Sequence, residues 1–192
     1  MDLLKKYLAE QQGLGDDLVD MVASFHQVRQ VKKNEFFIKE GDVNRHTAFL
    51  LDGIVRYFAY DRSVNDPTCF FSYPCHLIID PYTYFERKPA GLNAQAVCNC
   101  KLAVMSYDRY TRLLNEFPEA RNLFDRMIMQ ISLEFANQKA LLSLSANERY
   151  EYFLRHYPQV ARQAPLQYIA SYLGITQPSL SRIRKGETLK EK

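Results

Sequence analysis

The chain has 192 residues, enough for one or two domains, and its 47% hydrophobic content allows a sizeable buried core. No run approaches the ~20 apolar residues of a membrane span, and the start Met1-Asp2-Leu3-Leu4-Lys5-Lys6 is not followed by the apolar stretch of a secretory signal. Four cysteines (Cys69, Cys75, Cys98, Cys100) are too few for a disulfide scaffold, so a cytoplasmic protein with reduced thiols is expected.

In chain order, Leu3, Leu4, Tyr7, Leu8, Leu18, Met21 and Val22 recur at helical spacing and are interrupted at Gly13-Leu14-Gly15, which predicts two short helices within residues 2–24. From His26 to Met105 the texture changes to short runs rich in Val, Ile, Phe and Tyr. Strands are predicted over Gln27 to Val31, Glu35 to Ile38, Thr47 to Leu51, Ile54 to Tyr60, Thr68 to Tyr73, Asn93 to Val97 and Lys101 to Met105. Glu40-Gly41-Asp42 and Asp52-Gly53 supply turns. Even spacing of this kind suggests a small antiparallel barrel or jelly roll, and so an α+β chain.

Between Pro74 and Leu92 the pattern is punctuated by Pro74, Pro81 and Pro89, and short helical turns over the barrel mouth are expected. Tyr82, Tyr84, Phe85, Arg87, Asn93 and Gln95 are the candidate lining of an effector pocket there. The alternative is that the aromatic residues simply plug the barrel end.

Helix resumes at Ser106-Tyr107-Asp108. After Pro118 a long helix is predicted from about Glu119 to about Leu142. Phe124, Ile128, Ile131, Phe135, Gln138 and Leu142 recur along it at spacings of 4, 3, 4, 3 and 4, a heptad-type seam expected to form a homodimer interface. Ser145-Ala146-Asn147-Glu148 is a capping box that opens another helix, running to about His156 and stopped by Tyr157-Pro158. The expected divisions are 1–117, a sensor domain; 118–143, the dimerisation helix; and 144–192, a nucleic-acid-binding domain.

The last segment carries the most specific signal. Residues 1–143 hold 17 Lys+Arg against 18 Asp+Glu, whereas residues 144–192 hold 8 against 4, so the positive excess gathers at the end of the chain. After Pro165, Ile169 and Leu173 share a helix face, Gly174 is the residue type that ends a helix at φ > 0, and Ile175 can fill the corner. Thr176 is a good N-cap and Pro178 falls in the first turn of a second helix, whose inner face is Leu180 and Ile183. This reads as a helix-turn-helix for double-stranded DNA. Thr176, Gln177, Ser179, Ser181, Arg182 and Lys185 are the candidate contacts, and none is acidic. The tail after Lys185 is expected to fray.

With these residues in place, the chain resembles the Crp/Fnr family of bacterial transcription regulators over nearly its full length. The resemblance is carried by Phe37-Ile38-Lys39-Glu40-Gly41-Asp42, by Phe49-Leu50-Leu51-Asp52-Gly53-Ile54-Val55-Arg56, by the long helix, and by Ile169-Ala170-Ser171-Tyr172-Leu173-Gly174-Ile175. It implies a cyclic-nucleotide-binding-type jelly roll, a dimerisation helix and a C-terminal helix-turn-helix, all-helical or winged. It also implies a homodimer on a two-fold-related operator, with RNA polymerase as a further candidate partner. By the family's pattern Gln177, Ser181 and Arg182 read bases, with Thr176 and Ser179 near the backbone. Pro178 stands where cyclic-AMP-responsive members carry an acidic residue, so a different target sequence is expected.

The effector side departs from the family. Cyclic-nucleotide binders carry a Gly-Glu pair and, about ten residues on, an Arg-Ser/Thr-Ala triplet whose arginine pairs with the phosphate. Here Pro74 to Val97 holds no Gly-Glu, Asn93-Ala94-Gln95 stands in the triplet's place, and Arg87 and Lys88 are off the spacing. Cyclic AMP is therefore not expected to bind in the usual way, and any small-molecule effector is unidentified. No cysteine precedes Cys69, unlike the iron–sulfur sensors of the family.

Cys98-Asn99-Cys100 is expected to put both sulfurs on one side of a strand near Cys75-His76. A Cys/His metal or thiol sensor is the sharper alternative to inert thiols, the simpler expectation. No cofactor, metal or catalytic residue is assigned. An interaction module without DNA binding, or a cupin-like metalloenzyme, would need respectively an acidic or apolar outer face on the last helix, or clustered barrel histidines. The sequence offers neither.

Overall fold

A computed structural model describes residues 1–59 and 66–186, the Lys139 side chain excepted. Helix α1 (Asp2–Lys6) runs on through a π turn over Tyr7–Gln11, and α2 (Asp16–Ser24) follows a break at Gly13, which sits at φ +68°.

Strands β1 (Gln27–Val31), β2 (Phe36–Ile38), β3 (His46–Asp52), β4 (Val55–Phe58), β5 (Thr68–Ser72), β6 (Leu77–Ile78), β7 (Asn93–Ala96) and β8 (Cys100–Ser106) form two four-stranded sheets, ordered β1-β8-β3-β6 and β2-β7-β4-β5. Their pairings are antiparallel. This is the expected jelly roll. Strand β6 falls inside the stretch predicted as loop, and the predicted end of β4 at Tyr60 lies outside the described residues.

The continuous apolar run of β3 is explained by burial on both faces. Ala48 and Leu50 enter the core between the sheets, while Phe49 and Leu51 join a second core with Leu4, Tyr7, Leu8, Val19 and Val22 of the amino-terminal helices. At the β3–β4 turn Gly53 has φ +98°, and a Cβ there would stand 2.6 Å from Cys100 Sγ and 2.9 Å from the Asn99 carbonyl. Only glycine fits.

Helix α3 (Pro81–Glu86) is capped by Asp80, whose carboxylate accepts from the backbone N–H groups of Tyr82 and Thr83. Helix α4 (Tyr107–Glu116) leads through a 3-10 turn over Pro118–Ala120 into α5 (Arg121–Leu141), about 32 Å long at 1.5 Å per residue.

The capping box forms as predicted: Ser145 N donates to Glu148 Oε2 at 2.9 Å, and Glu148 N donates to Ser145 Oγ at 3.4 Å. It opens α6 (Ala146–His156). Pro158 stops that helix but also begins α7 (Pro158–Gln163), a helix the sequence reading did not place, because proline is as suited to a first turn as to a break. Then come α8 (Leu166–Tyr172) and α9 (Gln177–Arg184). Among the described residues of 144–186 there is no strand. The expected frayed tail, 187–192, lies outside the described residues.

A third core joins the two ends of the chain. Ile54, Phe71 and Val97 from the jelly roll pack with Leu141, Phe153, Tyr157, Ile169, Tyr172, Leu173 and Leu180.

Candidate nucleic-acid interface

Helices α8 and α9 are built as the residue types require. Ile169, Ala170, Tyr172 and Leu173 are buried, and Leu180 is fully buried beneath α9. Gly174 turns the corner at φ +66°, and Ile175 N donates to the Ala170 carbonyl at 3.0 Å, closing the end of α8. Thr176 caps α9: its Oγ1 accepts from Ser179 N at 3.3 Å and lies 2.9 Å from Ser179 Oγ. Pro178 occupies the first turn, where its missing N–H breaks no helical bond.

The six sequence-predicted DNA contacts come together on this unit. Thr176, Gln177, Arg182 and Lys185 are exposed, and Ser179 and Ser181 are half-buried. Residues 166–186 contain no Asp or Glu. The sequence reading omitted Arg184, which is also exposed on α9 and adds to its positive charge.

Thr176, Gln177 and Pro178 also line a cleft of about 660 Å³ facing the jelly roll, across from Phe36, Arg56, Phe58 and Gln95. Arg56, only 5% exposed, is held between two rings. Its guanidinium carbon lies 3.9 Å from the ring centres of both Phe58 and Tyr168 of α8. Burial lowers its pKa from the usual arginine value, partly offset by Tyr168 and Asp66. Thr68 N donates to Ser171 Oγ at 2.9 Å beside it. This seat was not foreseen. Its one sequence signal is an arginine inside an apolar strand.

The predicted dimer seam is placed differently from the expectation. Phe124 is buried edge-on against Tyr110, Ile128 and Ile131 pack on the amino-terminal core, and Phe135 stacks on Phe70 with ring centres 5.1 Å apart. Gln138 Nε2 donates to the Tyr172 carbonyl at 3.4 Å. These five therefore pack on the chain's own jelly roll and helices, and only Leu142, 46% exposed, remains largely open. The helix carries a second stripe: Met129 and Leu133, 60% and 57% exposed, with exposed Ala136 and Ala140, at spacings of 4, 3 and 4.

The six predicted effector-pocket residues do not converge. Tyr82 is exposed and reaches a cavity beside α5. Tyr84 is buried in an aromatic cluster with Phe85, Tyr107 and Tyr110, so these rings plug rather than line. Arg87 is exposed at the end of α3, in the left-handed region at φ +56°. Asn93 is fully buried: its Oδ1 accepts from Glu40 N at 2.9 Å and its Nδ2 donates to Glu40 Oε2 at 3.2 Å. Gln95 lines the cleft next to α9 instead.

The Cys98–Cys100 expectation is corrected. Cys98 lies in the turn after β7, and only Cys100 is in a strand. Burial first, then the neighbouring Cys98, pushes the Cys100 thiol up to about 12, and burial also raises Cys69 and Cys75. Thiols held protonated in this way are poor nucleophiles and metal ligands. Among the described residues no group of three or more His, Cys, Asp or Glu is placed to hold a metal ion. Among the described residues no helix is long and apolar enough to cross a membrane.

No protein-family model matches the sequence, and no curated protein does. Solved structures do match. A c-di-GMP-responsive global regulator, CLP, of Xanthomonas campestris aligns over 90% of this chain and 91% of its own at 15% identity, with a TM-score of 0.70. FixK2 from Bradyrhizobium japonicum aligns over 84% and 83% at 16% identity, with a TM-score of 0.72. The Thermus thermophilus catabolite activator protein aligns over 93% and 85% at 20% identity, with a TM-score of 0.54. With its jelly roll, long helix and terminal helix pair in that order, the chain shares the fold of these solved structures.

Proposed function

We propose that this protein is a DNA-binding transcription regulator that acts as a homodimer on a two-fold-symmetric operator. The observation that carries this reading is the outer side of α9. Thr176, Gln177, Arg182 and Lys185 stand exposed and free of acidic neighbours on their helix, above a fully buried Leu180. Arginine and glutamine are side chains that pair with base edges in the major groove, and threonine and lysine with phosphates. The division into a sensor (1–117), a dimerisation helix (118–143) and a DNA-binding segment (144–192) belongs to the same reading. Dimerisation would use the open stripe of α5, where Ala136 and Ala140 allow close approach of a second helix beside Met129 and Leu133. That arrangement would set two copies of α9 about one DNA turn apart, on the order of 34 Å.

The effector side of this reading is not a cyclic-phosphate site. Asn93, in the place of the phosphate-binding arginine triplet, is buried and engaged with Glu40. The cation Arg87 points no charge into the barrel region because it stands exposed at the end of α3.

The test is selection of bound DNA from a random pool by the purified protein, with Arg182→Ala alongside. The expected outcome is enrichment of a two-fold-symmetric site. The variant should bind it more weakly by ~1–3 kcal/mol and relax preference at one position of each half-site. Enrichment of no sequence by the parent protein would refute the regulator reading. Uniform weakening of all sequences in the variant would make Arg182 a phosphate contact.

A further inference from the structure

The positive charge of the terminal helices reaches beyond the outer side of α9. Residues 152–186 hold five Lys+Arg (Arg155, Arg162, Arg182, Arg184 and Lys185) and no Asp or Glu. Two of these cations meet at one place. Arg162, in the last turn of α7, and Arg184, the last residue of α9, line a single open groove of about 490 Å³. Its other walls are Tyr150 and Leu154 of α6 with Pro158, Ala161 and Ala164. Arg184 stands four residues after the buried Leu180, so it leaves the flank of α9 and not its outer side.

Both arginines are exposed, and among the described residues neither has an ion-pair or hydrogen-bond partner. Like charges that share a groove without a counter-charge repel each other. Apolar walls on either side focus their field on any anion that enters. Such a groove favours a polyanion, and its position says which one. Arg184 belongs to the same helix as Gln177, Arg182 and Lys185. That helix has eight residues, about 12 Å of length. A duplex carries one phosphate per ~1.7 Å of its axis, both strands counted, so a duplex seated on α9 runs several phosphates past its flanks.

Resting on the reading above that α9 binds DNA, we propose that Arg162 and Arg184 form a phosphate clamp beside α9, which makes α7 part of the DNA-binding surface. These are positioning contacts. They add affinity and fix the register of α9 in the groove without reading sequence. Guanidinium groups suit the role because they can grip a phosphate with two parallel hydrogen bonds.

The test is fluorescence anisotropy of a short labelled duplex of mixed sequence, titrated with the full chain at a series of potassium chloride concentrations. For the parent protein, the logarithm of the binding constant should fall linearly with the logarithm of salt concentration. Arg162→Gln and Arg184→Gln should each reduce that slope by about 1 per bound chain. Arg162→Lys should keep the parent's slope, because it keeps the charge. Lys101→Gln, which removes an exposed cation from β8, should also keep it and controls for net charge. Circular dichroism spectra identical to the parent's are expected for all four variants. Parent slopes in both glutamine variants would overturn the clamp, leaving the groove to an acidic protein surface and the regulator reading intact. An equal reduction in Lys101→Gln would also overturn it, since net charge alone would then account for the effect. A parent protein that binds no duplex even at low salt would instead remove the DNA-binding reading itself.

Discussion

His26 shows how a single residue ties stability to pH. It sits at the end of α2, and its Nδ1 lies 2.8 Å from the Val22 carbonyl, so that nitrogen carries the proton and donates. Burial pushes the ring's pKa down from 6.5 to about 4, with nearby Arg109 adding to the drop against the backbone hydrogen bond. The folded state therefore holds His26 neutral over a range where the unfolded chain takes up a proton. Where the unfolded state binds more protons, stability rises with pH. The contribution of His26 is thus complete above pH 6.5 and is lost as pH falls from about 6.5 towards 4. The full loss, reached below about pH 4, is on the order of 3 kcal/mol. Urea denaturation at pH 7 and pH 5 measures it. His26→Gln, which retains a donor for Val22, should lose less stability between the two pH values than the parent. Equal losses would mean that other groups carry the acid sensitivity.

At the scale of the element, α5 is the instructive case. Its two apolar stripes make different predictions. Leu133→Glu places a charge on the open stripe and touches none of the cores described, so the fold should survive while self-association weakens. Sedimentation velocity of parent and variant should show a dimer for the first and a monomer at the same concentration for the second. A variant that stays dimeric would move the interface elsewhere. The heptad spacing of Phe124 to Leu142 was legible in the sequence, but spacing does not say what a stripe packs against. The larger, more aromatic stripe had the jelly roll available as a partner within the same chain and took it, as the Phe135–Phe70 stack shows. The smaller stripe, in which Ala136 and Ala140 follow Met129 and Leu133, carries too little apolar area to stand out from sequence. Similar logic governs the strands. Those with five or more residues between clear turns, such as β1 and β5, could be read almost to the residue. Strand β6, Leu77–Ile78, is too short to display alternation and was lost among prolines. The helix-turn-helix was readable because cap, glycine and corner residues are local signals. The cavity beside α5 was not, because its walls come from segments separated by most of the barrel.

For the whole molecule, the question is what holds the terminal helices against the jelly roll. Two kinds of contact do so at the β4–β5 end. One is apolar: Phe71 packs against Tyr172 and Phe153, with ring centres 5.6 and 6.3 Å away. The other is polar: Arg56 lies between Phe58 and Tyr168, and Thr68 N donates to Ser171 Oγ. A cation held between two rings and largely removed from water contributes about 0.5–2 kcal/mol per ring. Against this stands the cost of burying the guanidinium, whose Nε has no hydrogen-bond partner among the described residues. The balance sets how easily α8 and α9 leave the barrel, since Thr176 and Gln177 line the same cleft as Arg56. Arg56→Ala removes the sandwich and leaves Phe71 untouched. If the cation–ring stack secures the seat, amide hydrogen exchange should accelerate in α8 and α9 by roughly tenfold, the equivalent of ~1.4 kcal/mol, while β3 and β8 keep their protection. Arg56→Lys should fall between, because an ammonium keeps the charge but cannot stack as a plane. If exchange in α8 is unchanged in Arg56→Ala, the apolar Phe71 contact alone seats the helices, and Arg56 is a buried cation whose cost its two rings merely offset.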